Sequence, residues 1–337
     1  MSNCLRTALV TGGSRGIGAA ICRRLARDGI AIAVNYRERR AEAEAVAAAI
    51  RAAGGKALAV EADITDGWQV ASMIKMLSGE LGPIDILVNN AGVYERGDLS
   101  EYQHAALERM RRTNVDALIT VTQEAVEGMK ARRWGRILNL TSVAAHGTAL
   151  PGTTFYAATK AEVAILTRRW AMDLGPYGIT VNAVAPGYIV TEMATKGRDP
   201  EELDKHLAHM AARAMVRRTG TPEDVAAAVA FLVSEEAGFI TAQTITVDGG
   251  RMENVRVTDV DIEGVSVPIF LRLGNRARAY GGGAKPGVGT LRNVALRNIT
   301  ARGTDLIGCS ITGLPGHPIE EVTLENIRLG FEGGGTK

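Results

Sequence analysis

A short apolar run, Ala8-Leu9-Val10, enters the stretch Thr11-Gly12-Gly13-Ser14-Arg15-Gly16-Ile17-Gly18, and a helical pattern of Ile17, Ala20, Ile21 and Leu25 follows at once. Strand, glycine turn, helix is the setting in which backbone amides approach a pyrophosphate at a helix N-terminus, because glycine leaves no side chain in the way. The spacing is Gly-x-x-x-Gly-x-Gly and not the commoner Gly-x-Gly-x-x-Gly. Taken alone, the turn therefore also fits a tight strand–helix connection that binds nothing.

The same alternation repeats along the next two hundred or so residues. Apolar strands are expected at Ile30–Asn35, Ala57–Glu61, Ile84–Val88, Arg136–Asn139, Ile179–Val184 and Ile245–Val247. Helical segments separate them: Ala41–Ala53, stopping at Gly54-Gly55; about 68–81; a long one from Tyr102 to Gly128; Tyr156 to Leu174; and one started by Thr221-Pro222-Glu223-Asp224. Strands alternating with helices of ten or more residues predict an α/β fold, a Rossmann-type doubly wound parallel sheet with its ligand crevice at the strand C-termini. Gly12–Gly18, Asp63 and Asn90-Ala91-Gly92 all fall at that edge. Asn114 lies inside the long helix, where its amide competes for backbone groups, so a local distortion or an exposed position is expected there. The polar, Met-rich stretch 190–218 is weakly patterned and reads as a lid.

Two further features bear on chemistry. A dinucleotide fold that prefers NAD places an acid about 20 residues past its glycines. Here the second strand ends in Asn35-Tyr36-Arg37, with no carboxylate. Arg15 and Arg37 suit a 2′-phosphate, so NADP(H) is expected, with NAD(H) the other candidate; the plainer reading is two solvated arginines. Tyr156 and Lys160 stand four apart on one helix face. An ammonium beside a phenol favours the phenolate and is expected to draw its pKa down from about 10. His206 and His209 are spaced i, i+3 but lack a third ligand, so no metal is expected and they read as surface helix residues.

Composition excludes other classes. Charged residues make up 23% and hydrophobic ones 46%, with a net charge of +2, which argues against a nucleic-acid-binding surface. No apolar run approaches a membrane span, and the first residues do not form a signal peptide. Three scattered cysteines suit a reduced compartment, and a cytoplasmic enzyme is expected.

On the motifs Thr11–Gly18, Asp63, Asn89-Asn90-Ala91-Gly92, Asn114, Ser142, Tyr156 with Lys160, and Pro186-Gly187 followed by Thr191, residues 5–250 resemble the short-chain dehydrogenase/reductases, most of all the 3-oxoacyl-(acyl carrier protein) reductases. The resemblance implies that Tyr156 gives a proton to a carbonyl oxygen while a nicotinamide delivers hydride to the carbon. It implies that Lys160 lowers the Tyr156 pKa and binds the nicotinamide ribose, that Ser142 hydrogen-bonds the developing oxyanion, and that Asn114 helps hold a proton-passing water. The cofactor contacts it implies run through Gly12, Ser14, Arg15, Gly16, Ile17 and Gly18, then Asn35, Tyr36 and Arg37. They continue through Asp63, which meets the adenine, and Ile64, then Asn90, Ala91 and Gly92. Pro186, Gly187, Ile189 and Thr191 complete the set, the last two meeting the nicotinamide side.

The family resemblance also implies a homotetramer and a ketone or acyl thioester substrate, with acyl carrier protein as a candidate partner. Carrier-protein reductases set basic residues at the site mouth, and Arg132, Arg133 and Arg136 are expected to form such a patch. Tyr177 stands where a second basic residue is usual. Sugar, polyol and steroid enzymes share the scaffold and supply the alternative substrates.

From Arg251 the helical periodicity stops. Gly281-Gly282-Gly283 and Gly333-Gly334-Gly335 appear, and a short pattern recurs in Glu253–Val257, Arg292–Ile299 and Glu321–Ile327. Alternating strands at long intervals predict coils of a β-solenoid, so domains are expected at 1–250 and 251–337. Through Pro268–Arg276 and Ser310–Pro318, the stretch Asn254–Gly335 resembles the last coils of family 28 glycoside hydrolases. Gly316-His317-Pro318 does not match their catalytic histidine motif, and the coils that carry their aspartates are absent. A non-catalytic appendage is expected, either a binding or assembly module or a fusion remnant.

Overall fold

The computed structural model describes residues 6–146, 151–195, 197 and 199–250, and in the remainder 256–263, 270–272, 291–304, 310–312 and 319–331. The chain divides into two compact units, Met1–Gly250 and Arg251–Lys337.

In the first unit the apolar runs form strands β1 (Thr7–Val10), β2 (Ala31–Tyr36), β3 (Ala57–Glu61), β4 (Ile86–Asn89), β5 (Gly135–Leu140), β6 (Ile179–Pro186) and β7 (Thr244–Val247). They make one parallel sheet in the order β3-β2-β1-β4-β5-β6-β7. Successive residues serve opposite faces, as strand geometry requires. Ala8 and Val10 pack with Ile32, Val34, Ile86 and Val88 on one face, while Leu9 packs with Ala33, Leu87 and Ile137 on the other. Both faces are covered, so the strands read as continuous apolar runs. Helices α1 (Gly16–Arg27) and α2 (Arg40–Ala52) pack on the first face, and α3 (Gly67–Glu80) packs on the second.

The order reverses between β1 and β4, which opens a crevice at their C-terminal ends. The long helix expected after β4 is divided into α4 (His104–Arg111), one π-helical turn over Arg112–Asp116, and α5 (Ala117–Arg132). Helix α6 (Thr154–Leu174) buries Lys160, Val163, Thr167, Ala171 and Leu174, a stripe at helical spacing. The weakly patterned stretch 190–218, read as a lid, contains α7 (Glu192–Thr195) and α8 (Pro200–Arg213), the latter capped by the Asp199 carboxylate on the amides of Glu201 and Glu202. Helix α9 (Pro222–Val233) starts with a capping box between Thr221 and Asp224. No helix among the described residues is long and apolar enough to cross a membrane.

The second unit contains β8 (Arg256–Glu263), β10 (Leu291–Thr304) and β12 (Ile319–Phe331), paired in parallel as β12-β10-β8, and a smaller parallel pair of β9 (Phe270–Arg272) and β11 (Ser310–Thr312). Asn298 and Asn326 take the same left-handed backbone, at φ +53°, on adjacent rungs. Their amides join at 3.0 Å, and Arg297 pairs with Glu325 at 2.8 Å beside them. The triple-glycine stretches, Pro268-Ile269 and Gly316-His317-Pro318 lie outside the described residues, as do Cys4 and Cys309.

Candidate active site

Loop, strand ends and one helix turn converge at the C-terminal edge of the sheet. Thr11, at the end of β1, accepts at its hydroxyl from the amides of Asn90 and Ala91 at 3.0 and 3.1 Å. The Asn90 amide donates back to the carbonyls of Thr11 and Gly12 at 2.8 and 3.1 Å. The loop after β4 is thereby fastened to the glycine loop. A methyl group on Gly18 would fall 2.3 Å from the Gly12 carbonyl oxygen and 2.6 Å from the Asn90 amide nitrogen, so α1 can start this close only without a side chain there. No side chain caps α1, and no acid sits in its first turn, which leaves its amides to an anion. This cradle fits a pyrophosphate.

The neighbouring strand ends behave differently from one another. Asn35 is buried, its side-chain oxygen reached by the Gly12 amide at 3.4 Å and its side-chain nitrogen donating to the Ala62 carbonyl at 3.1 Å. Tyr36 is buried too, with its hydroxyl on Glu61 at 3.3 Å. Of the three residues at that strand end, Arg37 alone is exposed; it pairs with Glu38 at 2.5 Å and lies 3.9 Å from Asp63. Asp63 accepts from the Thr65 amide and hydroxyl at 2.9 and 2.8 Å, and Ile64 packs into the core. Pro186 ends β6, and Gly187 lies so close to Asp248 that an added methyl would meet its Cβ at 2.5 Å. Ile189 is buried and bridges to Gly220, and Thr191 stands against Gly16. Ser14 is nearly buried, and Ile17 packs partly into the core.

Asn114, Ser142, Tyr156 and Lys160 are brought to the same edge. The π-turn directs Asn114 inward, where it is 1% exposed. Its oxygen accepts from the Val93 amide at 2.8 Å, and its nitrogen donates to the Val93 carbonyl and to the Thr159 hydroxyl at 3.0 and 3.1 Å. Of the two outcomes open at Asn114, distortion is the one found, as π-turns at functional sites often show. A methyl on Gly92 would lie 3.1 Å from the Asn114 oxygen and 3.5 Å from Lys160 Nζ. Both polar groups therefore crowd one glycine. Lys160 Nζ donates to the Leu140 carbonyl at 2.7 Å, and the Thr141 hydroxyl donates to the Lys160 carbonyl at 2.7 Å. Ser142 Oγ accepts from the Ala144 amide at 3.1 Å and is hydrogen-bonded to Tyr156.

The electrostatics depart from expectation. Lys160 Nζ lies 5.8 Å from the centre of the Tyr156 ring and faces the Leu140 carbonyl. Removal from water pushes the phenol up to about 12; the Ser142 hydrogen bond opposes this rise and Tyr94 adds to it. Burial draws the Lys160 amine down to about 8. Lys160 is not among the groups that move the phenol here; burial sets the direction of both shifts.

Several residues at the site carried no role in the sequence. Tyr94 packs edge-on against Tyr156 at 5.3 Å and donates to the Gly152 carbonyl at 3.3 Å; no spacing marks it. Thr11 and Thr159 lay within motifs and Thr141 directly before Ser142, and a hydroxyl beside each motif residue was the available signal. Beneath them Asn89 donates to Thr122 and Asn139 at 3.0 and 2.9 Å, and Asn139 donates to Thr167 at 2.9 Å. This buried chain ties β4, β5, α5 and α6 together.

The arginine patch is placed otherwise than expected. Arg132 donates to the Ile84 carbonyl at 2.6 Å and pairs with Asp85 at 3.3 Å, Arg133 donates to the Pro176 carbonyl at 2.8 Å, and Arg136 is 4% exposed beside the Trp134 ring. All three sit at the N-terminal edge of the sheet. At about 3.3 Å per residue, β5 puts roughly 20 Å between this patch and Ser142 of the same chain. His206 packs edge-on against Tyr188 at 5.0 Å.

The sequence family described as enoyl-(acyl carrier protein) reductase matches residues 12–251. The chain belongs to the short-chain dehydrogenase/reductase family. It is accordingly an NAD(P)-dependent oxidoreductase. A 3-oxoacyl-[acyl-carrier-protein] reductase FabG of Staphylococcus epidermidis is 41% identical over 246 residues, 73% of this chain and 98% of that one. An uncharacterized oxidoreductase of Methylorubrum extorquens is 39% identical over 246 residues, 73% of this chain and 97% of that one. Among solved structures, a short-chain dehydrogenase from Burkholderia cenocepacia in complex with NADP superposes with a TM-score of 0.66 at 39% identity, covering 74% of this chain and 99% of that one. The short-chain dehydrogenase/reductase of Serratia marcescens gives 0.66 at 38%, covering 73% and 97%.

Proposed function

We propose that this short-chain dehydrogenase/reductase reduces a ketone with NADP(H), and that its substrate is a 3-oxoacyl thioester. The observation that carries this is the gathering of Ser142, Tyr156, Lys160 and Asn114 beside the uncapped start of α1. Gly12–Gly18 would hold the pyrophosphate, Arg15 and Arg37 the 2′-phosphate, Asp63 and Ile64 the adenine side. Asn90, Ala91 and Gly92, with Pro186, Gly187, Ile189 and Thr191, would line the rest. When bound there, the dinucleotide supplies hydride to the carbonyl carbon. Tyr156 gives its hydroxyl proton to the carbonyl oxygen, and Ser142 donates a hydrogen bond to that oxygen as charge builds on it. The Lys160 ammonium then returns a proton to the phenolate, a transfer suited to neutral pH by an amine lowered to about 8. Asn114 holds the backbone of Val93 and the Thr159 hydroxyl in place around Lys160.

Relatives named as 3-oxoacyl-[acyl-carrier-protein] reductases support the thioester, and the NADP complex of a structural relative supports the cofactor. A sugar or polyol ketone is the second reading. It is favoured by an arginine patch that lies far from its own chain's site and is engaged by Asp85 and by backbone carbonyls. A panel of 3-oxoacyl thioesters, sugars and simple ketones, followed by NADPH oxidation, tests the reading. Turnover should be greatest with a thioester and fall about 10²–10⁴-fold in Tyr156→Phe. NADPH consumption that survives Tyr156→Phe undiminished would sink the assignment.

A further inference from the structure

Glu192 opens the short helix α7 directly after Thr191. Its two carboxylate oxygens reach guanidinium groups from two other parts of the chain. One contacts Arg15 Nη1 in the glycine loop, and the other lies 3.5 Å from Arg39 Nη2, just beyond β2. Thr191 leans on the same loop, since a methyl on Gly16 would meet its Cγ2 at 3.5 Å. The segment after β6 is thus fastened to the glycine loop by an ion-pair triad. Arg15, Arg39 and Glu192 have side chains 47%, 48% and 55% exposed, so these pairs form in water and exchange readily. Arg39 also holds Glu42 at 3.0 Å.

An anion is therefore already seated between two arginines at the end of β2, where an acid would stand in an NAD-preferring fold. A phosphate monoester carries about −1.5 to −2 charges near neutral pH and binds guanidinium bidentately. It cannot share Arg15 and Arg39 with Glu192 without bringing like charges together. We propose that Glu192 is a specificity-determining residue: its carboxylate competes with the dinucleotide 2′-phosphate for Arg15 and Arg39, and Arg39 is a 2′-phosphate ligand alongside Arg15. The inference rests on the reading of the site as an NADP(H) site. It adds that the segment after β6 must release Arg15 and Arg39 before a phosphorylated dinucleotide is fully held.

Equilibrium titration of full-length protein with NADPH and with NADH, followed by calorimetry without substrate, tests it in the parent, Glu192→Gln, Arg39→Gln and the double variant. Glu192→Gln should bind NADPH about three- to tenfold more tightly and leave NADH unchanged, the effect of freeing two exposed pairs. Arg39→Gln should weaken NADPH alone, and Glu192→Gln should gain less in that background. NADPH affinity that is unchanged or lower in Glu192→Gln, or NADH tightened equally, overturns the competition. A parent that binds NADPH no tighter than NADH overturns the NADP(H) reading and this inference with it. Protease sensitivity of the segment 190–213 should rise in Glu192→Gln and on adding NADPH to the parent, and no change in either would count against the release step.

Discussion

Lys160 is a cation in a position that its helix otherwise gives to core residues. On α6 it shares the buried stripe with Val163, Thr167, Ala171 and Leu174, and its ammonium is held by one backbone carbonyl. The folded protein therefore binds a proton here less readily than the unfolded chain does. Between about pH 8 and about 10.5 the unfolded state carries the extra proton, so this group makes stability rise with pH across that window and penalises folding below it. Replacing it by the similarly long, uncharged side chain in Lys160→Met should hold or raise the melting temperature at neutral pH while removing turnover, and the difference should narrow as pH rises. A variant markedly less stable at neutral pH would show that the Leu140 hydrogen bond outweighs the burial penalty. An NMR titration of labelled lysines should find one amine titrating near 8. The Tyr156–Lys160 spacing was legible in the sequence because a helix sets i and i+4 on one face. The direction of the tyrosine shift was not, because it depends on how much water the fold removes.

At the scale of elements, ends and interruptions matter more than helix interiors. The start of α9 is fixed by Thr221 and Asp224, each side chain bonded to the other's backbone amide, with Arg218 gripping the carboxylate at 2.6 and 2.7 Å. That arrangement holds the Asp224 carboxyl far below its ordinary range, the Arg218 hydrogen bond being the main cause. The folded state thus binds a proton at Asp224 less readily than the unfolded one, so its contribution is present at neutral pH and fades as acid protonates the carboxylate. Asp224→Ala should cost about 1–2 kcal/mol in urea unfolding at neutral pH, with the deficit shrinking on acidification. A deficit that grows in acid would contradict the assignment. This helix start was readable from Thr221-Pro222-Glu223-Asp224. Helix α8 was not, since Met210 is its one fully buried residue and an apolar stripe that narrow leaves little periodicity. The π-turn at Asn114 was half legible: the residue type announced a disturbance, and only the packing against Val93 and Thr159 determined its form.

Taken whole, the molecule is two compact units with different construction. The first buries both faces of a seven-stranded sheet and holds all four proposed catalytic side chains. The second stacks parallel rungs through matched positions such as Asn298 and Asn326. Ending the chain at Gly250 should leave NADPH-dependent turnover within about twofold of the parent, since Asn114, Ser142, Tyr156 and Lys160 all belong to the first unit. A loss well beyond that would give the second unit a part in catalysis. Doubly wound topology was open to reading because strands buried on both faces must be apolar throughout, and because glycine is required where α1 meets Gly12 and Asn90. Those demands are local, and the order of residues alone satisfies them. Which arginines face the site, how far Arg136 lies from Ser142, what charge Glu192 meets and how strongly Tyr156 holds its proton were decided by the tertiary structure. Each depends on distances and burial between segments far apart in the chain, and these exist only once the sheet has closed.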